Sequence, residues 1–182
     1  MLILSEIMGS NALLKDAKRV VTSSFRDVRG TFEVIWEAEL FSSAGLQFQP
    51  VSSAFSFNDK FGTLRGLHFQ KTPYGQSKLV SCVRGRVWDV IADLRPDSSS
   101  YLSWAFTELS DSNGVAVFIP AGYAHGFITL SDHSTLAYLI EGTYVAESAG
   151  VVRWDDTSLG IVWPNKDPIL SDRDRFAPDF IS

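Results

Sequence analysis

Arg65-Gly66-Leu67-His68 places a histidine inside an apolar segment typical of a strand. An unperturbed imidazole has a pKa of about 6.5, which suits proton transfer near neutral pH. Strand alternation puts Arg65 and His68 on opposite faces, so both meet one ligand only if the strand bulges, most easily at Gly66. The competing interpretation, a core histidine bonded to a backbone carbonyl, is at least as well supported by composition alone.

His125 follows the corner Pro120-Ala121-Gly122 and stands near the start of another strand. If Asp132-His133 forms a two-residue turn, Phe127 lies opposite Tyr138 in a hairpin. His125 is then one same-face step from Tyr138, roughly 7–8 Å between backbones, and the phenol and imidazole share one cavity. The alternative is that Tyr138 is an ordinary aromatic of the sheet.

Lys78 opens the apolar strand Leu79–Val83, where a lysine is usually exposed to solvent. If its side chain points inward, a fixed ammonium can stabilise an oxyanion. A metal site is disfavoured, because the chain has only three histidines and none of them forms an i, i+2 pair. Asp89 and Asp93 share one strand face, but no histidine lies close to them in sequence.

These residues lie in a chain of 182 residues whose pattern predicts one all-β domain. Segments rich in Val, Leu, Phe and Trp predict strands over 62–70, 77–83, 86–94, 101–109, 115–119, 126–130 and 135–144. Their regular spacing favours a sandwich or closed barrel. We expect a weak helix or tail over 1–18, the barrel over 19–164 and a C-terminal segment over 165–182. Short helices are predicted at 37–44 and after Ser171-Asp172.

Composition narrows the class of partner and the compartment. The formal net charge of −5 argues against a general nucleic-acid binder. Cys82 is the single cysteine, so an internal disulfide is impossible and a reducing compartment is expected. The N-terminal apolar run is short and lacks a basic start, and no segment approaches the length of a membrane span. The sequence therefore predicts a cytoplasmic protein that does not enter a membrane.

Several motifs, in order along most of the chain, resemble the dTDP-4-dehydrorhamnose 3,5-epimerase family. They are Phe25-x-Asp27-x-Arg29-Gly30, Gly62-x-Leu64-Arg65-Gly66-Leu67-His68-Phe69-Gln70, Lys78-Leu79-Val80, Ile119-Pro120-x-Gly122-x-Ala124-His125-Gly126-Phe127, Trp154-Asp155-Asp156 and Leu170-Ser171-x-x-Asp174. The resemblance implies a cupin-like jelly-roll barrel with short peripheral helices.

The same resemblance implies inversion of C3, C5 or both carbons of a nucleotide-linked 4-keto-6-deoxyhexose. The C4 ketone acidifies the flanking hydrogens, so a base can remove one and an acid can return a proton to the opposite face of the enolate. By the resemblance His68 is the base, Asp174 orients its ring and Tyr138 is the acid. Lys78 stabilises the enolate oxygen.

The family pattern also assigns binding roles. Arg29, Arg65 and His125 contact the sugar and diphosphate, and Phe32 and Tyr144 line the pocket. No metal and no organic cofactor are implied. Family members are dimers in which an N-terminal strand crosses the neighbour's site, which implies a homodimer with Arg29 and Phe32 acting in trans.

The chain departs from the family pattern at two places. Val34 stands where the family usually has glutamate, and Ser53-Ala54-Phe55 aligns without gaps to the usual Gln-x-Asn. These departures leave open a CDP- or GDP-linked substrate and inversion at C3 or C5 alone. Further alternatives are a metal-dependent dioxygenase or isomerase, a ketoisomerase, and a non-catalytic nucleotide-sugar-binding barrel.

Overall fold

Two antiparallel sheets face each other in the structure, a computed structural model that describes residues 2–22 and 24–180. The strands are β1 (Ile3–Met8), β2 (Leu13–Val21), β3 (Ser24–Asp27), β4 (Gly30–Glu33), β5 (Ser52–Asn58), β6 (Leu64–Gln70), β7 (Ser77–Arg84), β8 (Arg86–Asp93), β9 (Trp104–Ser110), β10 (Val115–Ile119), β11 (Tyr123–Thr129), β12 (Ser134–Glu141) and β13 (Ala149–Val151). The helices are α1 (Ala38–Ser43) and α2 (Asp172–Arg175), with a 3₁₀ turn at Ala146–Ser148.

The strand order defines a cupin-like jelly roll with short peripheral helices, as the sequence predicts. One sheet has the order β1-β2-β10-β7-β12-β5 and the other β13-β6-β11-β8-β9, while β3 and β4 form a separate hairpin. Strands consecutive in the chain therefore often lie in opposite sheets, which brings distant segments to a shared interior. No helix in the described part of the chain is long and apolar enough to cross a bilayer.

Apolar side chains fill the space between the sheets and cover the outer face of each. The interior cluster includes Val80, Ile91 and Leu136. The chain after β13 packs Trp163 onto the outside of the five-stranded sheet, and α1 packs Phe41 onto the outside of the other. Full burial of one such side chain stabilises the fold by roughly 1.5–3 kcal/mol. Each sheet is thus covered by apolar side chains on its outer face as well as on its inner face.

The prediction of a helix or tail over residues 1–18 is wrong, because this segment forms β1 and most of β2. Leu14 and Ala17 are both buried in the barrel interior, at a spacing of three residues that imitates one helical face. Between them Asp16 has a φ of 68°, which interrupts the strand alternation. The barrel therefore begins near residue 3 rather than residue 19.

The structure confirms some of the other local predictions and contradicts others. The short helix at 37–44 is confirmed by α1, and Ser171 caps α2 as expected. Strand β5 was not predicted, because its sequence SSAFSFN is rich in serine and lies at a sheet edge. The predicted hairpin between β11 and β12 is also wrong, since each belongs to a different sheet.

A buried carboxylate ties β8 to the irregular part of β2. Asp93 accepts hydrogen bonds from Arg95 Nε and Nη2, each at 2.8 Å, and from Ser98 and Ser100 hydroxyls at 2.6 Å. Arg95 Nη2 also donates to the Lys15 carbonyl. Burial by itself raises the pKa of Asp93, but these hydrogen bonds outweigh burial and lower that pKa to about 2.

Replacing this carboxylate tests how much it stabilises the barrel. We expect Asp93→Asn to lower the free energy of unfolding at neutral pH by about 3 kcal/mol, because it leaves half-buried Arg95 without its closer counter-charge and removes a fully hydrogen-bonded buried carboxylate. The depressed pKa stabilises the native state above the ordinary value of 3.8, and this effect is lost as the pH falls toward 2. The difference in unfolding free energy between wild type and variant, measured by urea unfolding, should therefore become smaller below about pH 4.

The matched control is Asp97→Asn, an exposed carboxyl of the same loop. We expect it to change the unfolding free energy by less than about 0.5 kcal/mol. A deficit in Asp93→Asn that stays constant down to acid pH would contradict the assigned role.

Candidate active site

A β-bulge in β6 brings two polar side chains to one side of the sheet. His68 lies opposite His125, but Arg65 lies opposite Phe127, so Gly66–Leu67 faces a single residue of β11. Residues directly opposite each other in an antiparallel pair point to the same face. Arg65 and His68 therefore both face the barrel interior, as the sequence analysis required of a bulge at Gly66.

Gly66 is required at this bulge for two reasons. Its φ is +128°, a conformation that L side chains rarely adopt. A Cβ at this position would lie 2.5 Å from the Gly126 Cα and 2.9 Å from the His125 carbonyl oxygen. The two glycines thus allow β6 and β11 to approach closely beneath the histidines.

His68 is held by a buried carboxylate from the C-terminal segment. Its Nε2 lies 2.7 Å from Asp174 Oδ1, while the Gly66 N–H donates to Asp174 Oδ2 at 3.4 Å. Burial alone raises the pKa of Asp174, but hydrogen bonds from His68, Gly66 and Ser171 outweigh burial and lower it. The His68 side chain keeps 40% of its surface exposed, so one edge of the ring stays accessible to a ligand.

Tyr138 faces the same interior from the opposite sheet. On β12 it pairs with Val80, an interior residue, and its ring meets the His125 ring edge-on at 5.9 Å between centroids. The sequence analysis expected these two rings together, but through a hairpin that does not exist; the barrel closure brings them together instead. Burial first, and the charge of Asp89 second, raise the pKa of the Tyr138 phenol, so it stays protonated.

Lys78 also points into the barrel. It pairs with Ile119, an interior residue of β10, and shares its face of β7 with Val80. Burial lowers the pKa of Lys78, and the negative charge of Asp89 partly opposes that effect. The inward orientation is the condition under which the sequence analysis gave this lysine a role.

Asp89 is a site residue whose role the sequence analysis missed. Its Oδ2 lies 2.7 Å from His125 Nε2, and both side chains are buried. The sequence placed Asp89 far from any histidine, since it and His125 stand on different strands of one sheet. Burial raises the pKa of Asp89, against the charges of His125 and Lys78.

Two of the predicted binding residues, Arg65 and Tyr144, are exposed and are held in place by polar side chains of β5 and β6. Arg65 donates from Nε to Asn58 Oδ1 at 2.8 Å, which fixes its guanidinium beside β5. Gln70 hydrogen-bonds the Thr143 carbonyl and the Val145 N–H, the two neighbours of Tyr144. Tyr144 is thereby held in an ordered loop with its ring exposed. Neither Asn58 nor Gln70 was assigned a role from the sequence.

Arg29 and Phe32 do not reach the cavity within one chain. They belong to the β3–β4 hairpin, whose residues Thr31 and Glu33 line a groove of about 500 Å³ together with Ser81. The Arg29 side chain is 86% exposed and Phe32 is 69% exposed. One departure from the family pattern, Ser53-Ala54-Phe55, lies on β5. Ala54 pairs with interior Tyr138, while its neighbours Ser53 and Phe55 face outward.

The arrangement suits proton transfer across a small ligand. A histidine with a carboxylate partner stands on one wall, a protonated phenol on the other, and a lysine lies deeper in the same interior. No group of three potential metal ligands lies close enough to hold an ion within residues 2–22 and 24–180. The exposed turn residue His133 takes no part in this cluster.

Comparisons with known proteins point to one family. Residues 11–181 match the family model described as dTDP-4-dehydrorhamnose 3,5-epimerase. The protein of that name from Sinorhizobium fredii is 36% identical over 176 residues, which cover 96% of this chain and 90% of the relative.

Solved structures point to the same family. The dTDP-4-dehydrorhamnose 3,5-epimerase of Bacillus anthracis, solved with TDP and pyrophosphate, superposes with a TM-score of 0.91 at 36% identity over 98% of this chain and 100% of that one. The Legionella pneumophila enzyme in complex with dTDP-4-keto-L-rhamnose gives 0.87 at 31% identity over 97% and 92%.

The bulge can be tested by its steric requirement. We expect Gly66→Ala to lose roughly 2 kcal/mol more unfolding free energy than Gly30→Ala in urea titrations. The control is matched in φ, at +131°, but a Cβ on Gly30 meets nothing within 4 Å. Both variants share the backbone strain, so the difference isolates the contact with Gly126. Equal losses would contradict the close approach described above.

Proposed function

The chain belongs to the dTDP-4-dehydrorhamnose 3,5-epimerase family, and from this premise we propose that it inverts C3 and C5 of a dTDP-linked 4-keto-6-deoxyhexose through His68 and Tyr138. It is an isomerase that acts on a nucleotide sugar. The observation that supports the assignment of residues is that both face the barrel interior from opposed sheets, His68 on the five-stranded sheet and Tyr138 on the six-stranded sheet.

His68 takes the first proton in this proposal. His68 and Tyr138 stand on opposed sheets, so a hexose ring bound between them presents one face to each. The imidazole removes the hydrogen from a carbon next to the C4 ketone, and the electrons of that C–H bond move to the carbonyl oxygen as an enolate. Asp174, whose pKa is held low by its hydrogen bonds, stays anionic and stabilises the imidazolium that forms.

Tyr138 returns a proton to the other face of the carbon, which inverts its configuration. The raised pKa of the buried phenol keeps it protonated until the enolate forms. Lys78, inside the same barrel, stabilises the negative oxygen as an ammonium ion. His68 then releases its proton to water and Tyr138 takes one from water, after which the same removal and return at the second flanking carbon complete the double inversion.

We also propose that the active form is a homodimer whose sites are completed by the β3–β4 hairpin of the partner. Phe25 and Phe32 of this hairpin are exposed, and so are Phe55 and Phe57 on the outer face of edge strand β5. Burying these rings against a second copy removes apolar surface from water. In that arrangement Arg29 contacts the diphosphate across the interface, while Arg65, His125 and Tyr144 contact the sugar nucleotide within the chain.

Hydrogen exchange tests the reaction directly. In deuterated buffer, the wild-type protein should introduce deuterium at C3 and C5 of dTDP-4-keto-6-deoxyglucose, and NMR measures the loss of the two proton signals. We expect His68→Asn to slow exchange at both carbons by roughly a hundredfold or more, because it removes the imidazole that takes the proton. The control His133→Asn changes an exposed turn histidine and should exchange normally. Tight binding of the sugar nucleotide by wild type without any exchange would instead favour a binding protein.

Removing the acid should separate proton loss from inversion. In Tyr138→Phe the enolate still forms, but protonation from the Tyr138 side is lost, so deuterium returns from the His68 side with retained configuration. We expect recovered substrate to carry deuterium while the yield of inverted sugar falls roughly a hundredfold or more. Normal turnover in this variant would mean that another group is the acid.

The shared site can be tested with a mixed dimer. A heterodimer of one His68→Asn and one Arg29→Ala protomer, isolated through two affinity tags, has one intact site if Arg29 acts in trans. We expect it to regain about half of the wild-type activity per dimer, whereas either homodimer stays impaired. If the heterodimer is no better than the Arg29→Ala homodimer, Arg29 belongs to its own chain's site.

A further inference from the structure

Asp89 is placed in an unusual way for a carboxylate. Its side chain is 1% exposed, on an interior position of β8. Oδ2 lies 2.7 Å from His125 Nε2, but Oδ1 has no hydrogen-bond partner among the residues that the structure describes. A buried oxygen left without a partner costs free energy, so such a group usually has a role that is not structural alone.

The groups around Asp89 belong to the proton-transfer machinery. Its charge acts on Lys78 of β7, on Tyr138 of β12 and on His125 of β11. Other titratable groups of these walls are His68 and Arg65 on β6 and Cys82 on β7, whose thiol has its pKa raised to about 11 by burial. Asp174 is bonded to His68 and already has its partners.

We propose that Asp89 is a positioning residue for the epimerisation: one oxygen fixes the ring of His125, and the second supplies the counter-charge that keeps Lys78 an ammonium ion beside the enolate. The inference rests on the function proposed above. It assigns to Asp89 a task that neither histidine nor Asp174 performs.

The physical need for a counter-charge follows from the position of Lys78. A lysine taken out of water tends to lose its proton, and a neutral amine stabilises an oxyanion far less than an ammonium does. Among the residues described, the ammonium of Lys78 makes no ion pair of its own. Asp89 is the carboxylate whose charge opposes the fall in the pKa of Lys78.

The same carboxylate also affects the acid. Its charge raises the pKa of the Tyr138 phenol further, after burial, and so opposes premature loss of the proton that the enolate must receive. A single buried negative charge thus favours the protonated form of both groups. Its hydrogen bond to His125 holds that ring against Tyr138.

The test is the pH dependence of kcat in Asp89→Asn, which keeps the shape and removes the charge. Loss of a nearby opposite charge should lower the pKa of Lys78 by roughly one to three units, so the alkaline fall in kcat should move to lower pH by that amount. At the acid end Lys78 stays charged, and kcat should change much less. A uniform drop in kcat at every pH would indicate a merely structural role and overturn the proposal.

Two further variants sharpen the result. Asp93→Asn removes the other buried carboxylate on the same face of β8, and its alkaline limb should stay where wild type has it. In a Lys78→Met background, Asp89→Asn should cause no additional shift in the pH range where Lys78 titrates, because that group is gone and burial alone still raises the pKa of the Tyr138 phenol. If Asp89→Asn does not fold, Asp89→Ser removes the same charge with a smaller side chain.

A measurement on wild type needs no change at position 89. With ¹³C-labelled lysine, and Lys78→Met to assign the signal, NMR should show the ε-carbon of Lys78 in its ammonium form at the pH of maximal kcat. A neutral amine at that pH would overturn the inference while leaving the epimerase activity intact. Failure of wild type to exchange C3 and C5 hydrogens would instead remove the proposed function itself.

Discussion

The close approach of β6 and β11 at two facing glycines is the constraint on which the site depends. Without the bulge at Gly66, alternation would send Arg65 and His68 to opposite faces of the sheet, and one of them would leave the cavity. The bulge also turns the Gly66 N–H toward Asp174, so the distortion that aims the histidine helps to bind its carboxylate partner. The same bulge therefore sets both the backbone path of β6 and the direction in which Arg65 and His68 point.

Two histidine–carboxylate pairs lie side by side on the five-stranded sheet, and their environments differ. Asp174 is surrounded by donors, and its pKa is lowered although burial acts the other way. Asp89 has few donors, and burial raises its pKa. The first pair resembles a stable orienting contact at the cavity wall. The second places a poorly compensated charge deep in the interior, where its field acts on Lys78 and Tyr138.

Within one chain the residues proposed for proton transfer lie together, but two residues predicted to bind the nucleotide lie apart from them. The proposed proton-transfer groups face the interior of one barrel, whereas the hairpin that carries Arg29 and Phe32 lies beside the outer face of the six-stranded sheet. Exposed rings on that hairpin and on β5 are consistent with a second copy covering them. In the proposed dimer, the barrel fixes the reacting atoms while the interface shapes the nucleotide pocket.

The sequence by itself determined the all-β class, most strands, the short helix at 37–44, the cap at Ser171 and the need for a bulge at Gly66, because alternation, glycine placement and capping are local properties of the chain. It misjudged β1 and β2, where Asp16 interrupts alternation, and the serine-rich edge strand β5. Only the tertiary structure decided which sheet each strand joins, and hence that Tyr138 meets His125 across the barrel and that Asp89 lies behind them. Contacts between residues 36 apart in sequence, such as Asp89 and His125, depend on which strands pair in a sheet, and no local pattern encodes that pairing.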